Sequence, residues 1–268
     1  LKSLSKANEN QILKLWEGLG YYRRARNLLA SAKLLVKKYK SKLPDDLKEL
    51  KKLPGVGEYT ANALLGLVHD KPTIALDGNV KRIFARYLNK KEIGINFDKL
   101  ISINKKKLFS TNRNSDFVEA LMEFGALVCK PKDPKCGDCC LNKSCRYFKS
   151  SNKIKTNKRK QIKIMHYDIF CYLNKSKRIA LTKENKISFL KNFNLPSIKK
   201  MKNIKRNKNW KFLKNYKNSI SNQKLNINLY YKFSNKIPLS HKWYPLNNNK
   251  EFIPSFTKKI FQQVSVLF

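Results

Sequence analysis

Four cysteines, Cys129, Cys136, Cys139 and Cys145, are separated by six, two and five residues in a lysine-studded stretch. Four thiolates in one loop can hold a tetrahedral zinc ion or a cubane iron-sulfur cluster, because both take four sulfur ligands, and the spacing leaves the two open. Disulfides would require an oxidising compartment that nothing in the sequence suggests. Some fifty residues earlier, Asp77 precedes Gly78 and a periodic apolar run. There a carboxylate either caps a helix or stands beside a developing positive charge as an electrostatic catalyst. Upstream again, Leu53-Pro54-Gly55-Val56-Gly57 opens another helix. Gly55 and Gly57 allow unusual backbone angles and close approach of a large ligand. Amides exposed at such a helix start suit a phosphate, although a plain turn and cap would look the same.

The elements that must position these residues follow from periodicity. Residues 9 to 19 and 24 to 39 read as helices, with Ile12, Leu15, Trp16 and Leu19 on one stripe and Leu28, Leu29, Leu35 and Val36 on another. Pro44, followed by Asp45 and Asp46, is expected to start a third helix. Glu58 starts the hairpin helix, with Ala61, Leu64, Leu65 and Val68 at helical spacing. Two more helices are expected, from about Asn79 to Tyr87 and from about Ser115 to Val128, so the first half is all helical. From Ser150 to Lys160 the chain is polar and basic and reads as a linker. Met165 to Leu173 and Lys224 to Phe233 then have the β-branched and aromatic content of strands, and Ser255 to Val264 is a short amphipathic helix. The expected division is residues 1–149 as an α domain, 150–162 as linker and 163–268 as an α+β domain.

The hairpin, with Leu76-Asp77-Gly78-Asn79-Val80-Lys81-Arg82 some twenty residues on, resembles the helix-hairpin-helix glycosylases related to endonuclease III. Where bifunctional members of that superfamily carry a lysine nucleophile, this chain has Tyr59, and a phenol cannot form a Schiff base. Trp16-Glu17-Gly18-Leu19-Gly20-Tyr21-Tyr22 and Arg24-Ala25-Arg26-Asn27-Leu28 are similar to the MutY-type adenine DNA glycosylases. The resemblance implies a [4Fe-4S] cluster on Cys129, Cys136, Cys139 and Cys145, closing the glycosylase domain with the loop 129–145. It implies Asp77 as the carboxylate that stabilises an oxocarbenium-like sugar, Tyr59 near the sugar and leaving base, and Asn79 orienting Asp77. It assigns Glu119 to the adenine edge and Gly55, Val56 and Gly57 to the DNA backbone. On pattern alone, Tyr59 is a half-buried aromatic, Asn79 a helix-start amide and Glu119 a solvated face residue. Cys140 and Cys171 read as ordinary thiols, since the four-fold set is complete without them.

Family members add a Nudix-like domain that recognises 8-oxoguanine, and residues 163–268 fit that layout. True Nudix hydrolases gather glutamates to hold Mg²⁺, whereas the acids after residue 150 are Asp168, Glu184 and Glu251, too scattered for such a site. This domain is therefore expected to recognise and not to hydrolyse. Its nearest match to the lesion-reading loop is Ile220-Ser221-Asn222, in which Ser221 keeps a hydroxyl able to bond the oxidised base. The aromatic wedge and the histidine of the family loop are absent. So is the family's general-acid glutamate, which would lie before Leu1, and the chain is expected to be an N-terminally truncated form.

A formal net charge of +41 over 268 residues favours a polyanionic partner, although abundant Lys, Asn, Ile and Phe would also follow from AT-rich coding. No apolar run is long enough to span a bilayer and no secretory signal is evident, so a soluble cytoplasmic protein is expected, bacterial, associated with the nucleoid through DNA binding, and a monomer. The expected partner is double-stranded DNA with adenine opposite 8-oxoguanine or guanine, from which adenine is hydrolysed. Two other functions stay open: a bifunctional glycosylase/lyase, and a noncatalytic iron-sulfur DNA-binding protein.

Overall fold

The computed structural model describes residues 1–151, 153–154, 163–185, 187, 190–200, 209–220, 223–247 and 251–268. Ten helices precede the sheet: α1 Lys2–Lys6, α2 Glu9–Leu15, α3 Arg23–Lys38, α4 Leu47–Lys51, α5 Glu58–Leu67, α6 Gly78–Leu88, α7 Phe97–Ile103, α8 Lys105–Leu108, α9 Asn114–Leu127 and α10 Arg146–Lys149. Strands β1 Lys163–Asn174, β2 Arg178–Leu181, β3 Ser197–Lys200, β4 Lys211–Ile220, β5 Gln223–Phe233 and β6 Lys242–Pro245 follow, and α11 Ser255–Val264 comes last among the long elements. Two compact units result. One comprises Leu1–Lys6 with Asn27–Lys158, and the other Ala7–Arg26 with Arg159–Phe268, so residues 7–26 count with the sheet. Most of the expected linker, residues 152 and 155–162, lies outside the described residues.

In the helical unit, Leu35, Leu50, Leu53, Ala61 and Leu65 form a buried cluster against which Val56 and Leu64 pack. The hairpin is thus anchored through its apolar side chains. The expected helix start at Pro44 moves to Leu47, because Asp46 caps it by accepting hydrogen bonds from the amides of Lys48 and Glu49 at 2.9 and 3.0 Å. Helix α9 crosses α5 and α6 closely. A Cβ at Gly66 would lie 2.6 Å from Val118, and one at Gly125 would lie 2.7 Å from Asn79. Glycine at the two crossings is what lets these helices meet.

The helix expected over 9–19 stops at Leu15. Gly18 and Gly20 take φ of 88° and 62°, angles that break the helical run, and the Trp16 indole donates to the Gly20 carbonyl at 3.1 Å to close the loop. Tyr22, after this loop, packs edge-on against Phe193 and Phe252 in the core of the sheet unit. The sheet runs β4-β5-β1-β2-β6, with β3 also paired to β1. β1 and β5 pair in parallel from Lys163↔Gln223 to Leu173↔Phe233, and the other pairings are antiparallel. Ile169, Cys171 and Leu173 alternate with Leu225, Ile227 and Leu229 on the buried face. Helix α11 buries Phe256, Ile260, Phe261 and Val264 in the same unit. Strands β2, β3, β4 and β6 and helix α7 are elements that the sequence patterns did not announce.

Candidate active site and cysteine loop

The hairpin between α4 and α5 is held from beneath. Ser31 on α3 donates to the Pro54 carbonyl at 2.9 Å, and the Val56 amide donates to the Leu53 carbonyl at 3.0 Å. Gly55 has φ of 82°, and a Cβ there would lie 2.4 Å from the Asn27 amide nitrogen, so the position admits glycine on two grounds. Gly57 differs from expectation. Its φ of −94° is open to any residue, and what distinguishes it is that nothing lies within 4 Å of its missing side chain. Gly57 is the N-cap of α5 and supplies no side-chain cap, which leaves the first-turn amides without a capping side chain.

Asp77 is the N-cap of α6, and its Oδ1 accepts a hydrogen bond from the Val80 amide at 2.7 Å. The capping role is therefore real, and it fixes the carboxylate at the helix start. Tyr59, in the first turn of α5, is 40% exposed. Partial burial and then the nearby Asp77 charge push its phenol above the ordinary range, so it stays protonated. Asp77 at the start of α6 is near enough for its charge to act on the Tyr59 phenol, but it is not among the residues lining the cleft beside Tyr59. Tyr59 lines a cleft of about 860 Å³ with Asn62, Thr73, Leu76, Lys81 and Phe97. The Thr73 hydroxyl donates to Asn62 at 2.6 Å, and the Lys81 ammonium lies 5.7 Å from the Phe97 ring centroid. Asn79 packs against α9 at Gly125 and does not line the cleft. Glu119 is exposed on α9 and is likewise not among the lining residues. Ser221 lies outside the described residues.

Cys129, Cys136, Cys139 and Cys145 line one cavity together with Arg86, Leu141 and Phe148. Among the described residues no three His, Cys, Asp or Glu side chains converge on a point suited to one ion. The Leu141 amide donates to the Cys139 sulfur at 3.4 Å, and Arg86 Nη1 donates to the Cys129 sulfur at 3.5 Å. Burial first, and the neighbouring cysteines after it, push the Cys139 thiol up. Cys140 is exposed and Cys171 is fully buried in the sheet unit.

The residues that sequence reasoning missed are the arginines that tie α6 to this loop. Arg82 donates from Nε to the Cys129 carbonyl at 3.0 Å and from Nη2 to the Gly125 carbonyl at 2.7 Å. Arg86, one turn on and 3% exposed, donates to the Lys130 and Pro131 carbonyls at 2.6 and 3.0 Å. These guanidinium groups satisfy one carbonyl in the last turn of α9 and three in the loop that follows it. The available signal was an arginine pair at i and i+4 on the same helix face as the apolar stripe of Val80 and Ile83.

Residues 1–104 match the family of HhH-GPD superfamily base excision DNA repair proteins. The adenine DNA glycosylase of Buchnera aphidicola subsp. Baizongia pistaciae is 31% identical over 92% of this chain and 76% of the relative. The chain belongs to the adenine DNA glycosylase family. The Homo sapiens adenine DNA glycosylase is 34% identical over 54% of this chain. The chain spans less than half of several other curated relatives it matches, including 48% of the protein from Buchnera aphidicola subsp. Schizaphis graminum and 27% of the human one. Among solved structures, that of a thermostable thymine-DNA glycosylase is 28% identical, covers 55% of this chain and 69% of that one, and has a TM-score of 0.49.

Proposed function

We propose that this protein binds double-stranded DNA and belongs to the monofunctional branch of its family, hydrolysing the N-glycosidic bond of adenine opposite 8-oxoguanine or guanine. The observation that carries this reading is Asp77 fixed at the start of α6 beside a phenol, where a lyase would need an amine. As the purine leaves, positive charge develops on the sugar, and a preorganised carboxylate stabilises it most where a flipped base excludes water. One Asp77 oxygen is committed to the Val80 amide, which holds the second in a fixed direction. Tyr59, kept protonated, offers a neutral donor beside it and no nucleophile. Asn79 supports Asp77 through the helix they share, and Glu119 would reach the adenine edge. The Gly55-Val56-Gly57 hairpin would present its amides to a phosphate, with the open side of Gly57 allowing close approach.

A [4Fe-4S] cluster fits the four cysteines, because all four line a common cavity and the sulfurs of Cys139 and Cys129 receive N–H donors from Leu141 and Arg86. When bound it would supply structure to a loop rich in lysine, and Arg82 and Arg86 would hold that loop to the helix bearing Asp77. The sheet unit is read as a Nudix-like domain recognising 8-oxoguanine, with Ser221 as its contact.

Single-turnover excision on an adenine:8-oxoguanine duplex tests the assignment, run with Asp77→Asn alongside. Asparagine caps about as well as aspartate, so stability should change by less than ~1 kcal/mol and duplex binding should persist. Base release should fall by orders of magnitude, about 10²-fold or more. Excision undiminished in Asp77→Asn would leave Asp77 as a cap and nothing else.

A further inference from the structure

The face of the sheet opposite Ile169, Cys171 and Leu173 carries a continuous row of rings. Phe212 meets Tyr230 at 5.6 Å, and Tyr230 stacks on Phe170 at 5.3 Å with an interplanar angle of 16°. Trp210 contacts Phe170 at 5.0 Å and Tyr172 at 4.8 Å, and Tyr172 meets His241 at 6.1 Å. Strand register puts Lys199, Lys217, Lys224 and Lys232 on this same side, opposite Asp168, Asn226, Ser219 and Tyr172 respectively. The Lys199 ammonium lies 5.8 Å from the Phe170 ring centroid. Asp168 shares the face but is 5% exposed and accepts a hydrogen bond from Asn228 at 2.8 Å, so its charge is shielded from solvent. At the free end of the row Phe212 is 55% exposed.

We infer that this face is a stacking platform for unpaired bases of single-stranded DNA. A row of rings fringed by ammonium groups matches a strand that alternates flat π-faces with phosphates, and stacking of that kind is tolerant of sequence. A protein partner is a poorer match, since lysine is depleted from the cores of protein interfaces. An intact duplex keeps its base faces covered and offers only the phosphates. The choice of DNA over RNA rests on the base excision reading of the family. The platform lies on the β4-β5-β1 face of the sheet unit, whereas Asp77 and the hairpin belong to the helical unit.

Fluorescence anisotropy of the full chain with labelled oligothymidylate of about 16 nucleotides, and with a blunt duplex, tests the platform. Phe212→Ala should weaken oligothymidylate binding by about tenfold and alter duplex binding by less than about twofold, while Phe212→Trp should restore it. Photo-cross-linking with 5-iodouracil in the strand should label peptides containing Trp210 or Phe212. Unchanged oligothymidylate affinity in Phe212→Ala overturns the platform, as does an equal loss on both ligands. Tighter binding of oligouridylate than of oligothymidylate overturns the assignment to DNA. Sedimentation showing a dimer that Phe212→Ala dissociates would give the face to a second copy of this chain. Excision and duplex binding by the same protein report on the glycosylase reading separately, because none of these outcomes depends on Asp77.

Discussion

Tyr59 shows how much one side chain decides at this site. Its phenol is held above its ordinary range by partial burial and by the Asp77 carboxylate, two influences that would pull the pKa of a cation in opposite directions. In Tyr59→Lys an ammonium would gain a carboxylate partner, while desolvation would favour the free amine needed to trap an opened sugar. Borohydride should then cross-link the variant to a cleaved adenine:8-oxoguanine duplex and leave the parent weakly labelled. Strong cross-linking of the parent would mean that another lysine acts as nucleophile, and the monofunctional assignment would be withdrawn.

At the scale of elements, β4 carries an internal cost that can be removed. The Tyr216 hydroxyl is buried with no hydrogen-bond partner among the described residues, and burial, then the adjacent Cys171, pushes its pKa well up. Tyr216→Phe removes an unsatisfied polar atom and should raise stability by about 1 kcal/mol in denaturant melts. The advantage should widen above pH 10, where the unfolded phenol, with its ordinary pKa of 10.0, releases a proton that the folded one retains. A variant less stable than the parent at neutral pH would show that the hydroxyl is satisfied after all. Elements were legible where one period dominated: α3, α9, β5 and α11 lie within a residue or so of their expected bounds. β4 was not, since Lys, Asn and Ser occupy most of its positions and only pairing with β5 identifies it. The partnership of Arg82 and Arg86 with the cysteine loop was hidden for a related reason. Their partners are backbone carbonyls, which leave no mark in the sequence. Asp77 and the hairpin were legible because they depend on local rules of helix starts and tight turns.

For the whole molecule, charge sets the terms of association. With a formal charge of +41, DNA affinity should fall steeply between ~50 and ~200 mM salt, with a log-log slope of about −4 or steeper, and a flat response would remove phosphate contacts from the account. A second consequence comes from the helix crossings and concerns inheritance. The chain has only nine glycines in 268 residues. Three of them, Gly55, Gly66 and Gly125, stand where any Cβ would come within 3 Å of Asn27, Val118 or Asn79. Gly94 and Gly137 have nothing within 4 Å and no positive φ. Compositional drift toward lysine and asparagine is therefore free at the second pair and blocked at the first three. A saturation library selected for folded protein should return glycine at 55, 66 and 125 and accept many residues at 94 and 137. Free exchange at 66 or 125 would show that the helices can part without loss. Where a substitute does survive at 66, a smaller residue should appear at 118 in the same clone, so that two positions distant in the chain are inherited as one.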